Sequence, residues 1–471
     1  MILTAGWILP VTSPPIRDGA VAIRKNRIAW VGPADSLPAA FGDDERRSFG
    51  DAFLLPGLVN VHSHLEYTVL GGMIGDLPFV PWLLRLVALG RRLTPENLEV
   101  SALWGAARSI RSGVTCLGDV SSRGGAVTAL RQAGLRAVVF MEALGLEERE
   151  APRIAARALE RAREVKALGD PRLRGGISPH APYTVSPRLY RECCRLAGEE
   201  GFPLLVHLAE SAAEEELLLR GEGELAEPFR QAVGWGRIGW EAPGCRPVEY
   251  LERLGVLGPG VLAAHCVRVT PGEARILARK GVAVAHCPTS NALLRAGRAP
   301  VPVFLREGIT VGLGTDSAAS NPAFDLWGEM RLAFLLARAG GKEPEVEPLA
   351  ARQAVEMATL GGARALGLEG EIGSLEQGKK ADIVVLRMPG GVDPGWVEGE
   401  DPCLGEEPCL KLVHLACGRD VIFTMVEGET LYEGGRFRTL DVKALREATG
   451  EIRARLNACN APGPVLELAE K

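Results

Sequence analysis

The chain has 471 residues, room for roughly three domains at about 150 residues each, or for one large α/β barrel with an accessory unit. Its composition, 46% hydrophobic and 24% charged with a mean hydropathy of +0.07, excludes disorder as the main state. A formal charge of −5 and a pI of about 6.0 exclude a strongly basic nucleic-acid binder or a polybasic membrane-surface protein. Uncharged runs such as Ala52–Leu65 and Gly281–Leu294 reach 14 residues, below the 18 or so apolar residues that a spanning helix needs. The N-terminal stretch has no positively charged leader region or Ala-x-Ala site. Ten cysteines without a Cys-x-x-Cys pair fit reduced thiols, so a cytoplasmic setting is expected.

In chain order, Gly19–Gly32 reads as two short alternating strands around a polar Lys25-Asn26 turn. Strand-like runs return at Lys380–Leu386 and Val421–Gly428, so both ends should build one small β-domain. Between them lie eight short apolar runs: Leu58–His62, Val114–Asp119, Leu135–Glu142, Gly175–His180, Pro203–His207, Val261–His265, Val282–His286 and Ile309–Asp316. Helical patterns separate them, including Ala151–Leu168, Pro187–Glu200, Pro271–Lys280 and Pro322–Arg338, several opening on proline. Continuous apolar runs alternating with helices describe a closed parallel barrel. An open doubly wound sheet is the alternative, weakened by the lack of a GxGxxG fingerprint. The expected fold is a distorted (β/α)8 TIM barrel over 56–365, a composite β-sandwich domain from 1–55 and 366–440, and a C-terminal helix within 441–471. Val392–Pro408 reads as a surface loop, Leu412–Ala416 as a strand, and Asp441–Asn457 as an amphipathic helix.

Six of the seven histidines fall at or just past the ends of the apolar runs: His62, His64, His180, His207, His265 and His286. In a barrel those ends form one mouth, where catalytic groups converge. His62 and His64 are two apart on a strand, so both rings can reach one ion. His207-Leu-Ala-Glu210 adds an imidazole and a carboxylate, and Asp316 ends the last run as a hard anionic ligand. Three histidines and one aspartate suit Zn²⁺ or Fe²⁺ with a position left for water. Cys403, Cys409, His414 and Cys417 match no standard zinc spacing and read as structural residues.

Pro56–His64, His207–Glu210, His265-Cys-Val267 and Gly314-Thr-Asp-Ser317 together resemble the amidohydrolase superfamily, most closely its cytosine-, guanine- and adenosine-type deaminases and chlorohydrolases. Gly373–Leu386 resembles the strand of that family's composite β-domain. The resemblance implies one divalent metal, Zn²⁺ or Fe²⁺, held by His62, His64, His207 and Asp316. The fourth strand carries His180 where binuclear members have a bridging lysine, which favours a single metal. A divalent ion brings the pKa of bound water near neutrality. Asp316 would take the water's proton, His265 would orient the attacking oxygen, and Glu210 would protonate the ring nitrogen and shuttle the proton to departing ammonia.

The residues expected to bind substrate are His180, Glu66, Trp82, Arg85, Glu142, Asn291 and Ser317. Glu66 falls on the His62/His64 side if the strand continues, where it would bind a substrate group or buttress a metal ligand. Leu70–Leu93, carrying Trp82, Arg85, Arg91 and Arg92, reads as a lid; His286–Asn291 reads as pocket wall; Glu214–Glu216 read as solvated carboxylates. In similar methylthioadenosine/S-adenosylhomocysteine deaminases a lid glutamate grips the ribose, and Leu89–Leu93 here has no carboxylate. His64-Leu-Glu66 and Val138–Glu142 are instead similar to aminodeoxyfutalosine deaminases of menaquinone synthesis. The expected activity is therefore metal-dependent hydrolytic deamination of an amino-substituted N-heterocycle, such as aminodeoxyfutalosine. The alternatives are guanine, S-adenosylhomocysteine/methylthioadenosine or cytosine-type deamination, chlorotriazine or cyclic-amide hydrolysis, and an inactive barrel that binds without turnover. The expected partners are a small heterocyclic substrate and a second copy of the chain, as homodimer or higher oligomer, with no nucleic acid and no membrane.

Overall fold

The computed structural model describes residues 1–339, 347–387 and 407–458. Two sheets organise them. The first is the barrel: β6 (Leu58–Ser63), β7 (Val114–Ser121), β8 (Arg136–Ala143), β9 (Leu173–Pro179), β10 (Leu204–Leu208), β11 (Val261–His265), β12 (Ala283–His286) and β13 (Val311–Leu313), all parallel and in sequential order. The eight apolar runs of the sequence are these eight strands. Their side chains are buried almost throughout, as both faces of a parallel sheet inside a ring of helices require. The ring closes where Ser63 bridges Asp316 and the Asp316 amide donates to His62 O at 2.9 Å. The seam of the barrel is thus formed by the segments that carry three of the expected metal ligands.

The second sheet joins the two ends of the chain. Its strands are β1 (Ile2–Ile8), β2 (Ile16–Arg24), β3 (Arg27–Pro33), β4 (Arg46–Ser48), β5 (Ala52–Pro56), β14 (Ile383–Arg387), β15 (Val421–Val426), β16 (Glu429–Glu433) and β17 (Arg436–Phe437). The order is β17-β16-β15-β14-β5-β1-β2-β3, with β4 on β1, so the expected composite β-domain is present as a nine-stranded mixed sheet. The β2–β3 hairpin turns at Lys25, whose φ of +55° is the left-handed conformation of a tight turn. A buried ion network ties this domain to the start of β8. Arg136 donates to both Asp382 oxygens, at 2.9 and 3.2 Å, and lies 3.2 Å from Glu427, which also meets Lys380 at 2.7 Å.

Local chemistry starts and stops the barrel helices. Thr94-Pro95 and Thr270-Pro271 open two of them with capping boxes, and Ser186 caps a third by accepting from the Leu189 amide. Gly201, Gly221 and Gly281 end helices in the left-handed conformation that a side chain resists. One expected strand is a helix: Leu412–Ala416 lies largely within Pro408–Leu415, where Pro408 occupies the first turn and the Glu407 carboxylate accepts from the Cys409 and Leu410 amides. A five-residue apolar run does not distinguish the two states, and the cap decides. The expected loop 392–408 lies outside the described residues up to 406, as do Cys403 and residues 459–471. The expected terminal helix is Val442–Ala458. Among the described residues no helix is long and apolar enough to cross a membrane.

Candidate active site

At the mouth of the barrel the strand ends are bent sharply. Ala209, His265, Cys266 and Asp316 all have positive φ, between +48° and +71°, although none is glycine. Side chains resist this conformation, so its clustering after β10, β11 and β13 marks a place where tertiary contacts impose the backbone.

Those bends gather the imidazoles. His62 and His64 leave β6 with ring centroids 4.9 Å apart, and His207 on β10 brings its Nε2 to 3.3 Å from His64 Nε2. The His207 Nδ1–H donates to His180 O at 3.0 Å, which fixes the tautomer and leaves Nε2 as the free lone pair. Asp316 Oδ1 sits 3.5 Å from His62 Nε2 and 3.6 Å from His64 Nε2, while Oδ2 accepts from Ser290 Oγ at 2.6 Å and Ser320 Oγ at 3.0 Å. Two overlapping triplets, His62–His64–Asp316 and His62–His207–His265, each have ligand atoms within 4.8 Å of one another.

The donor set fits a divalent cation on an independent ground. Both ring nitrogens of His62, Nδ1 of His64 and Nε2 of His265 are buried without a hydrogen-bond partner among the described residues. Such orphaned atoms are rare in a folded protein unless something else engages them. Burial lowers His62 and His207 and takes His64 to about 3, with neighbouring imidazoles contributing, so the rings are neutral and their lone pairs available. Burial opposes charge on Asp316 too, but His62, His265 and His64 outweigh it and hold the group well below the usual carboxylate range. Three neutral imidazoles and a carboxylate are ligands for Zn²⁺ or Fe²⁺ alike.

Beside this cluster Glu210, 4% exposed, places Oε1 3.7 Å from His265 Nε2. Burial raises its carboxyl to about 7, Asp316 adding to the rise and His265 opposing it. Asn291 Oδ1 accepts from His265 Nδ1 at 2.9 Å, so Nε2 faces Glu210.

The cluster opens into a cavity of about 340 Å³. Of the residues expected to bind substrate, His180, Trp82, Glu142 and Ser317 line it. His180 Nδ1 meets Thr184 Oγ1 at 2.8 Å, and burial lowers its pKa to about 4. Glu142 accepts from Ser122 Oγ at 2.8 Å and is raised to about 7 by burial.

Three others do not reach the cavity. The chain leaves β6 at Ser63 and enters a 3-10 helix, Leu65–Leu70, which ends the alternation. Glu66 therefore turns away and accepts from Ser121 Oγ at 2.7 Å and the Ser122 and Arg123 amides at 2.9 and 3.1 Å. Arg85 points elsewhere because the lid is a helix, Phe79–Gly90, whose face Phe79, Trp82, Leu83, Leu86, Val87 and Gly90 lines the cavity at helical spacing. Asn291 lies behind His265, and Ser290 behind Asp316, so His286–Asn291 forms a supporting layer rather than a wall. His286 itself is buried at 2% and belongs to neither ligand triplet. His414 packs on Phe334, and Cys403 of the same group lies outside the described residues.

Sequence reasoning missed Tyr67, Arg123, Tyr183, Thr184, Phe229 and Trp235, all lining residues. Tyr183 and Thr184 follow His180 within Ser178–Val185 and could have been found as part of one loop after β9; Phe229 comes from the helix Glu227–Val233 after β10 and Trp235 from just beyond its end, a stretch whose sequence has no chemical signature.

Residues 53–431 match the amidohydrolase family. The chain belongs to that family. As an amidohydrolase it is a hydrolase of C–N bonds, with the family's barrel and composite β-domain; residues 19–43 separately match the imidazolonepropionase-like composite domain of bacteria. A 5-methylthioadenosine/S-adenosylhomocysteine deaminase from Moorella thermoacetica is 38% identical over 442 residues, covering 93% of this amidohydrolase and 95% of the relative. A 5'-deoxyadenosine deaminase from Methanothermobacter thermautotrophicus is 34% identical over 444 residues, covering 94% and 95%. Among solved structures, an adenosine deaminase from Xanthomonas campestris with bound zinc superposes with a TM-score of 0.81 at 27% identity, covering 97% of this chain and 98% of that one.

Proposed function

We propose that this amidohydrolase deaminates an adenosine-like nucleoside by hydrolysis, exchanging the exocyclic amine for oxygen and releasing ammonia. The observation that carries this reading is Glu210, a buried carboxyl raised to about 7 and 3.7 Å from His265, beside the His62–His64–His207–Asp316 cluster. A divalent ion on that cluster supplies the Lewis acidity that makes water nucleophilic near neutral pH.

The chain's own groups handle the protons. Asp316 is anionic and anchored through Oδ2, so it can accept the proton of the attacking water. His265, held by Asn291, orients the oxygen that adds to the amine-bearing ring carbon. Glu210 as the neutral acid donates to the adjacent ring nitrogen; of the water's two protons one goes to the departing amine, which leaves as ammonia, and the other restores the Glu210 acid. An amine needs this proton delivery and a chloride does not, which favours deamination over dechlorination.

The wall away from the cluster supports a 5'-substituted nucleoside. Glu142 offers a carboxyl suited to hydroxyl groups, and Phe79, Leu83, Leu86, Phe229 and Trp235 offer apolar surface for a substituent. Among such nucleosides aminodeoxyfutalosine is favoured by one further observation. The two motif features that resemble its deaminases, Glu66 and Glu142, are joined through Ser122, so that Glu66 supports the lining Glu142 from behind the cavity. Ammonia release across adenosine, 5'-deoxyadenosine, methylthioadenosine, S-adenosylhomocysteine and aminodeoxyfutalosine, ranked by kcat/KM, tests both levels. The general reading requires turnover of at least one, and the specific reading requires aminodeoxyfutalosine to rank first.

A further inference from the structure

Behind Glu210, on the side away from the cavity, lies a second buried carboxyl that the chemistry above does not use. Glu214 stands in the first turn of the helix Ala212–Arg220 and is 1% exposed, in contrast to the solvated role its sequence neighbourhood suggests. Its Oε1 accepts from the Ala209 amide at 3.0 Å and its Oε2 from the Glu210 amide at 2.7 Å. Its own amide donates to Ser211 Oγ at 3.2 Å, which caps the helix. The adjacent Glu215 differs, facing Arg246 and Arg268 on the outside.

Ala209 has a φ of +51°, a conformation that alanine resists. This bend is what swings Glu210 from the end of β10 toward His265. Successive amides around a left-handed residue converge and form a concavity that takes acceptor oxygens. Glu214 fills that concavity with one oxygen per amide. Without it, two buried amides would lose their acceptors, and the bend would be held only from its carbonyl side, where the Arg268 amide donates to Ala209 O at 2.8 Å.

We propose that Glu214 is a positioning residue for Glu210: its carboxyl clamps the Ala209 and Glu210 amides and thereby sets the Glu210 carboxyl against His265. Its catalytic consequence rests on the deaminase reading; the clamp itself does not. A displacement of about 1 Å in a group that moves a proton lowers turnover by about 100-fold. Because Glu214 touches neither the cavity nor the ligand cluster, losing it should lower kcat while KM and metal content stay close to those of the parent.

The test compares the parent enzyme with Glu214→Gln, Glu214→Asp and Glu215→Gln. The measurements are metal per chain, steady-state ammonia release, and amide hydrogen exchange of the peptide covering residues 204–212. Glutamine keeps the volume but turns one acceptor into a donor facing an N–H. Aspartate keeps both acceptors on a shorter stem. The proposal expects kcat about 10- to 100-fold lower for Glu214→Gln with faster exchange at Ala209 and Glu210, partial recovery for Glu214→Asp, and parental values for Glu215→Gln. Parental kcat or unchanged exchange in Glu214→Gln overturns it. So does loss of metal in step with kcat, which would make Glu214 a general scaffold residue. If the parent releases no ammonia from any adenosine, the deaminase reading falls, and the exchange at Ala209 and Glu210 still decides the clamp.

Discussion

Replacing Glu210 by glutamine separates two consequences of burying one carboxyl. Glu210 is 4% exposed, and burial lifts it from 4.5 to about 7, so the neutral acid persists near neutral pH. Glutamine keeps the shape and a hydrogen-bond donor but cannot transfer a proton. Losing general acid–base catalysis lowers turnover by about 10²- to 10⁴-fold, equivalent to about 3–5 kcal/mol in the barrier. The same burial weakens the fold, because a carboxyl held at about 7 that returns to about 4.5 on unfolding favours the unfolded chain by roughly 3 kcal/mol once both are ionised. Stability from this group is complete below pH 4.5, is lost between pH 4.5 and about 7, and stays lost above. Thermal melts of metal-stripped Glu210→Gln and parent protein should therefore nearly coincide near pH 4.5. The variant should then become progressively the more stable up to about pH 7, with a constant gap beyond. In the metal-loaded parent, turnover should decline toward high pH as the acid form of Glu210 is lost. A variant that keeps parental turnover, or a stability gap that does not depend on pH, would refute the assignment.

Asn291→Ala removes the acceptor of His265 Nδ1 and should lower kcat by about 10- to 100-fold with full metal occupancy, as measured by kinetics and elemental analysis. Arg136→Ala leaves Asp382 and Glu427 buried without their cation and should destabilise the protein by about 3–5 kcal/mol in denaturant melts, with turnover per folded molecule unchanged. Arg453 in the terminal helix donates to Val69 O and Gly71 O, both at 2.7 Å, at the root of the lid; Arg453→Ala should raise KM and leave kcat alone. Chelation should abolish turnover, and restoring it with Zn²⁺ and Fe²⁺ in parallel identifies the better metal.

The barrel was legible in the sequence because parallel strands buried on both faces leave continuous apolar runs, and their polar ends fall in one register. That register also located His62, His64, His207 and Asp316. Periodicity misplaced Glu66 because the alternation argument holds only while the strand lasts, and β6 stops at Ser63. Arg85 was misplaced for the converse reason: the lid is helical, and its cavity face repeats every three or four residues. The supporting layer was the least legible. Glu214, Asn291 and Ser290 act through backbone bends and side chains brought from other segments, and composition treats them as ordinary polar residues.

We propose above that this amidohydrolase replaces the exocyclic amine of an adenosine-like nucleoside by oxygen. Product analysis by mass spectrometry of metal-loaded enzyme with the 5'-modified adenosines tests it directly. The expected products are a hypoxanthine nucleoside and one ammonia per substrate consumed. Intact adenosines throughout, alongside turnover of a chlorotriazine or a cyclic amide, would contradict it.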